Sequence, residues 1–166
     1  MSDIQPSLYQ QQKKLKPRAE DVIQASLPPV HREQAMRFLA FLKSLRMTPQ
    51  WASVHSWTVS YKGKRVCHIK VSAGAGTWYI RPSLQYDEAL DAFCRKEQLT
   101  ELMLKNVHHC VACGRCAPGK KAVFFGAALE HVCCAPIDFE FHNPDDEELN
   151  CVQKLVLYSR QRIAGD

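Results

Sequence analysis

The chain has 166 residues, 46% of them apolar and 23% charged, with 7 Gly and 9 Pro, a size that suits one compact domain and is short for two. Charged and apolar residues are interspersed throughout, which excludes wholesale disorder, and no apolar run approaches the ~20 residues of a membrane-spanning helix. The formal charge of +5 is mild and serves solubility as readily as nucleic-acid binding.

The opening segment, MSDIQPSLYQQQKKLKPRAE, carries charges and glutamines where a secretory signal needs an apolar core, so a cytoplasmic location is expected. Residues 1–16 hold no sustained hydrophobic period and read as a flexible N-terminal arm, with a single domain over 17–166. Pro17 suits the first position of a short helix to about Gln24, and Glu20 and Asp21 lie near its positive end. After Pro28-Pro29, the spacing of Ala35, Phe38, Leu42 and Leu45 predicts an amphipathic helix over 30–46.

From Val54 the period changes to two. His55, Trp57, Val59 and Tyr61 alternate with serines and a threonine, and a Lys62-Gly63-Lys64 turn follows. Cys67, Ile69 and Val71 then alternate with His68 and Lys70, and after Ala73-Gly74-Ala75-Gly76 come Trp78 and Ile80. Three antiparallel strands in a meander are predicted. Residues 86–107 return to helical spacing, as one kinked helix or two short ones.

Ala122–Phe125 is a short apolar run that suits a strand, and Ile137, Phe139 and Phe141 alternate with Asp138, Glu140 and His142 in a half-buried one. A last helix follows, with Asn143 as its cap, Pro144 in its first position and Asp145, Asp146, Glu147 and Glu148 at its positive end. Leu149, Val152 and Val156 form its buried stripe. The fold class is therefore α+β, an antiparallel sheet of four to five strands with helices packed on one face and a cysteine-rich metal-binding loop.

The 8 cysteines carry the chemistry. In a reducing cytosol they are not a disulfide framework by default. Cys67, Cys94 and Cys151 stand alone in apolar patterns and read as small core residues. The others lie within 108–134: His108-His109-Cys110-Val111-Ala112-Cys113-Gly114-Arg115-Cys116, then Cys133-Cys134.

Cys-x2-Cys-Gly has the shape of a metal knuckle, in which two thiolates face one cation, backbone amides donate to the sulfurs, and the glycine permits a left-handed turn. Cys110, Cys113, Cys116 and one of Cys133 or Cys134 would complete a closed tetrahedral zinc site, structural because it leaves no open position. Four thiolates around a divalent ion would add about −2 to the chain's charge. If the last strand were regular through Pro136, Cys133 would share the face of Ile137, Phe139 and Phe141, with Cys134 on the other. His108, His109 and His131 are candidate substitute ligands, though histidines so placed are more often surface residues or residues that support a ligand.

Trp57, Tyr61, Lys70, Trp78 and Arg81 lie on the basic, aromatic meander and form a candidate ligand or nucleic-acid surface. Aromatics at alternating positions also suit a core, and edge lysines suppress aggregation. A protein partner or small ligand is accordingly favoured over nucleic acid, and no membrane association is indicated. No nucleophile with a base, paired carboxylates or phosphate-cradling glycine loop is legible, so no reaction is assigned.

Two resemblances add to this reading. Cys110-x2-Cys113-x2-Cys116 resembles the cluster-binding run of bacterial-type ferredoxins, which implies a [4Fe–4S] cluster as the alternative cofactor and redox work as the alternative function. The fourth ferredoxin position here is Lys120, so Cys133 or Cys134 would have to complete the cluster. Thiol redox chemistry without a metal is a further alternative, with Arg115, Lys120 and Lys121 near enough in sequence to favour thiolates. Ser60-Tyr61-Lys62-Gly63-Lys64-Arg65-Val66 with Ile80-Arg81-Pro82, after two helices, resembles the small α+β domains of the YdhG-like family over about residues 20–82. That family is often labelled iron-binding and implies no reaction. Cys113-Gly114, Pro118-Gly119, Phe125-Gly126, His131-Val132-Cys133 and Phe141-His142-Asn143-Pro144-Asp145 look like uncharacterised bacterial proteins that join such a domain to a cysteine cluster.

Overall fold

The computed structural model describes residues 5–116 and 118–165; Met1–Ile4 of the expected arm lie outside it. The first element is a helix, α1 (Leu8–Leu15), where the sequence suggests a loose arm. A capping box explains the difference: Ser7 Oγ accepts from the Gln10 amide and Gln10 Oε1 accepts from the Ser7 amide, so two orphan donors are satisfied in a stretch with little apolar period. The helix docks through Gln12, which is buried and whose Oε1 accepts from the His55 amide (2.9 Å) and Trp51 Nε1 (3.4 Å).

Helices α2 (Ala19–Ser26) and α3 (Pro29–Ser44) follow, the second opened by proline at its start. Next come β1 (Gln50–Ser53), β2 (Ser56–Tyr61), β3 (Lys64–Ser72) and β4 (Thr77–Pro82), joined as an antiparallel meander. His55 lies in the tight β1–β2 turn at φ 49, not in a strand, and the expected turn after Tyr61 is made by Lys62 (φ 46) and Gly63 (φ 76), with Lys64 already the first residue of β3.

The register puts Trp57 opposite Ile69, Val59 opposite Cys67, Ile69 opposite Ile80 and Val71 opposite Trp78. All seven residues are essentially inaccessible and form the face on which α2 and α6 (Asp146–Gly165) pack, with α3 against α6. The opposite face carries Thr58, His68, Lys70, Tyr79 and Arg81. Residues 86–107 resolve into two helices, α4 (Glu88–Lys96) and α5 (Thr100–Lys105). Cys67, Cys94 and Cys151 are fully buried, and burial pushes each thiol up to about 12, as inert core residues should be.

Two strands form a separate hairpin, β5 (Lys120–Phe124) and β6 (Ala127–Val132). A final strand, β7 (Phe141–His142), pairs with β4 and completes a five-stranded sheet in the order β1-β2-β3-β4-β7. The alternation from Ile137 to Phe141 does not extend back to Cys133, because residues 133–138 leave the ladder as a bent loop through Pro136. Among the described residues no helix is long and apolar enough to cross a membrane.

Asn143 does not cap α6. It turns back on β4, its Oδ1 accepting from the Trp78 amide and its own amide donating to the Trp78 carbonyl, both at 2.9 Å. Asp145 takes the cap: its Oδ1 accepts from the Glu148 amide (2.9 Å) while Glu148 Oε2 accepts from the Asp145 amide (3.1 Å). The acids at 145–148 are thus helix-start residues, as expected. Asp145→Ala should cost about 1 kcal/mol, read as a lower urea midpoint at unchanged slope; an unchanged midpoint would mean that Asp145 is not the effective cap.

Candidate metal centre

The cysteine segment is held by backbone pairing on two sides. Val107 bridges to Phe139 and His109 to Val132. The His108 amide donates to the Asp138 carbonyl (2.8 Å), the Cys133 amide to the His108 carbonyl (2.9 Å) and the Cys110 amide to the His131 carbonyl (2.7 Å). Residues 107–110 are therefore a segment bridged on both sides, to the approach to β7 and to β6, which ties the hairpin to the domain.

The far end of the hairpin is anchored by aromatics. Phe125 (φ 53) and Gly126 (φ 82) make its two-residue turn, an unusual place for phenylalanine. Burial of the ring compensates: Phe124 and Phe125 pack on Tyr86 at 5.0 and 4.9 Å and on Phe139 at 5.4 and 6.3 Å between centroids. The Phe125 amide also donates to Tyr86 Oη (2.9 Å).

At the near end the chain turns tightly. Ala112 (φ 53) and Gly114 (φ 80) are left-handed, and the Ala112 amide donates to Cys110 Sγ at 3.4 Å. Gly119 (φ 95) passes so close to β6 that an added Cβ would sit 2.6 Å from the Val132 carbonyl oxygen and 2.9 Å from Cys110 Cβ; only glycine fits there. Its amide donates to the Cys116 carbonyl (2.6 Å), closing the loop that includes Ala117, which lies outside the described residues.

This folding brings Cys134 to Cys116. The Cys134 side chain pushes the Cys116 thiol up, a backbone hydrogen bond from Cys134 pulls it the other way, and burial and the nearness of Cys134 and Cys113 add to the rise. Cys134 and Cys113 are exposed, and Cys110 and Cys116 half-buried. Cys133 is buried, facing inward at the end of β6. Among the described residues, no three His, Cys, Asp or Glu side chains already stand in the arrangement of a metal-binding group.

The neighbouring histidines have other partners. His131 Nδ1 lies 3.0 Å from the Pro118 carbonyl, and His108 Nδ1 lies 3.5 Å from Glu140 Oε2; His109 is exposed. Lys121 is paired with Glu130 at 3.1 Å. Trp57 and Trp78 are core residues, 1% exposed, with Trp57 Nε1 donating to the Pro17 carbonyl (2.9 Å). Neither indole is offered to a ligand. Tyr61 is half-buried under the Arg160 guanidinium, 5.2 Å from its ring, and Lys70 and Arg81 are half-buried as well.

Glu140, beneath the cysteine segment, is a residue the sequence does not single out. It is buried and contacts Arg81, His142 and His108. Burial pushes its carboxyl up, but hydrogen bonds from His142 and Arg81 outweigh this and bring it down to about 2 from 4.5. No family model, curated protein or solved structure matches the chain.

A carboxyl depressed in the fold stabilises it above the unfolded value, and that contribution is lost as pH falls through the folded value. Stability should therefore decline between pH 4.5 and about 2, and Glu140→Gln should flatten that part of the profile in denaturation measured across pH. An identical slope in the variant would contradict the assignment.

Proposed function

We propose that the chain is a small metal-binding protein whose thiols hold one structural zinc ion, with Cys110, Cys113, Cys116 and Cys134 as the ligands, and that the stapled hairpin acts as an interaction module. The observation that carries this reading is the Ala112 amide donating to Cys110 Sγ within a turn left-handed at Ala112 and Gly114. An amide aimed at a sulfur stabilises a thiolate, and a CxxC pair is the usual building block of a structural zinc site. The Cys116–Cys134 thiol contact, with Cys113 nearby, supports Cys134 over Cys133 as the fourth donor. Four soft thiolates suit zinc, which takes tetrahedral sulfur sites without redox chemistry.

Such an ion would supply cohesion, not reaction chemistry, joining the knuckle and the loop before Gly119 to the end of β6. Val111, in the cysteine loop, and Val123, on β5, are 73% and 61% exposed and would be the apolar contacts of a protein partner. Residues 20–82 would then be a YdhG-like scaffold bearing the cysteine hairpin. The second reading, a [4Fe–4S] cluster, uses the same four cysteines. A metal-free thiol switch is less favoured, because the Cys116 thiol is raised on balance and Lys121 is taken by Glu130.

Cys110→Ser with Cys113→Ser should release the ion and cost about 2 kcal/mol or more, which is about 5 °C in melting temperature for a chain of this size. Cys134→Ala should also release it, whereas Cys133→Ala should leave it bound. Unchanged metal content and melting in the double variant would overturn the proposal.

A further inference from the structure

At the end of the sheet where β3 begins and β4 ends, an open groove of about 780 Å³ lies between the sheet, the loop at Pro136 and Ile137, and the last turns of α6. Its size is that of small-molecule sites, ~300–1,000 Å³. Lys64, Arg65, Arg81 and Arg162 line it, and Asp87 is the only carboxylate among the described lining residues.

The two inner arginines are held in place by protein contacts. Arg81 is contacted through Nε by Glu140 and lies 4.5 Å from the Tyr79 ring. Arg162 uses Nη1 for Asp87 Oδ2 (2.9 Å) and Tyr158 Oη (3.2 Å). A guanidinium has five donors, so each keeps N–H groups for the groove. His68, also in the lining, is pulled down to about 4 by burial first and then by Arg81, Arg65 and Lys70, against a smaller opposing effect of Glu140.

Ser159 sits in the same wall, 5% exposed, and its Oγ has no hydrogen-bond partner among the described residues. A buried hydroxyl without a partner is unfavourable unless something else satisfies it. Leu84, Ile137 and Ile163 supply an apolar floor beside it.

We propose that this groove binds a small phosphate ester, its phosphate held by Arg65, Arg81 and Arg162, its ester end within reach of Ser159 and its apolar body over Leu84 and Ile137. Clustered guanidinium groups match the several oxygens and double charge of a phosphate monoester. The apolar floor favours an organic phosphate over the bare ion. The inference does not depend on the zinc reading, since none of these residues is a proposed ligand.

The test is an amide NMR titration of the full-length protein with phenyl phosphate, inorganic phosphate and a single-stranded oligonucleotide as probes, at low and moderate salt. Phenyl phosphate is expected to saturate a single site, shift the amides at 64–65, 81–85 and 159–163, and bind more tightly than inorganic phosphate. Arg65→Glu, an exposed change, should weaken it about tenfold. Ser159→Ala should weaken it several-fold with melting temperature equal or higher, because the hydroxyl makes no hydrogen bond in the unliganded fold. No saturable shift with phenyl phosphate would overturn the proposal, as would binding indifferent to both variants. Tighter oligonucleotide binding that displaces phenyl phosphate would overturn it in favour of a nucleic-acid surface.

Discussion

The strand pairing of Val107–Cys110 is the constraint on which the rest of the site depends. These residues bridge to Phe139 on one side and to Val132 on the other, so one short piece of backbone belongs both to the domain and to the cysteine hairpin. Through it, the position of Cys110 is fixed by the same ladder that fixes β6 and hence Cys133 and Cys134. Without that pairing the hairpin would be held by its aromatic turn alone, and a lone two-stranded hairpin is marginal in water.

What the pairing leaves undone is the closure of the loop from Val111 to Pro118, whose described residues are mostly exposed. Two local devices prepare it. The Cys110–Ala112 amide contact sets the knuckle, and Gly119 lets the returning chain lie against Cys110 and Val132 at a distance no side chain tolerates. On the zinc reading, both would help to order the loop before the ion arrives, which lowers the ordering cost of binding. In the proposed account the ion then completes a closure that backbone hydrogen bonds have begun, and its binding free energy becomes local folding free energy.

The parts of the fold that were legible in the sequence are those set by burial on one face. Trp57, Val59, Cys67, Ile69, Val71, Trp78 and Ile80 alternate because one side of the sheet is core, and Leu149, Val152 and Val156 recur because one side of α6 is. Elements stabilised by polar or special backbone contacts were not. α1 depends on a Ser7–Gln10 capping box and on Gln12 reaching His55, neither of which leaves an apolar period. β6 escaped notice because its residues are mostly exposed or half-buried and its turn, Phe125-Gly126, hides a left-handed residue under an aromatic side chain. The candidate site divides in the same way. The knuckle was visible as Cys110-Val111-Ala112-Cys113-Gly114, whereas Glu140, Gly119 and the preference for Cys134 arise from tertiary contacts between segments far apart in the chain.

The central claim, that four thiols close around one zinc ion, is tested most directly by elemental analysis of untagged protein purified without oxygen, with its visible spectrum recorded alongside. The account predicts one zinc per chain and no colour. A chain without bound metal, or iron with sulfide and a brown colour bleached by dithionite, would contradict it, and the second result would make the same cysteines the seat of electron transfer or sensing.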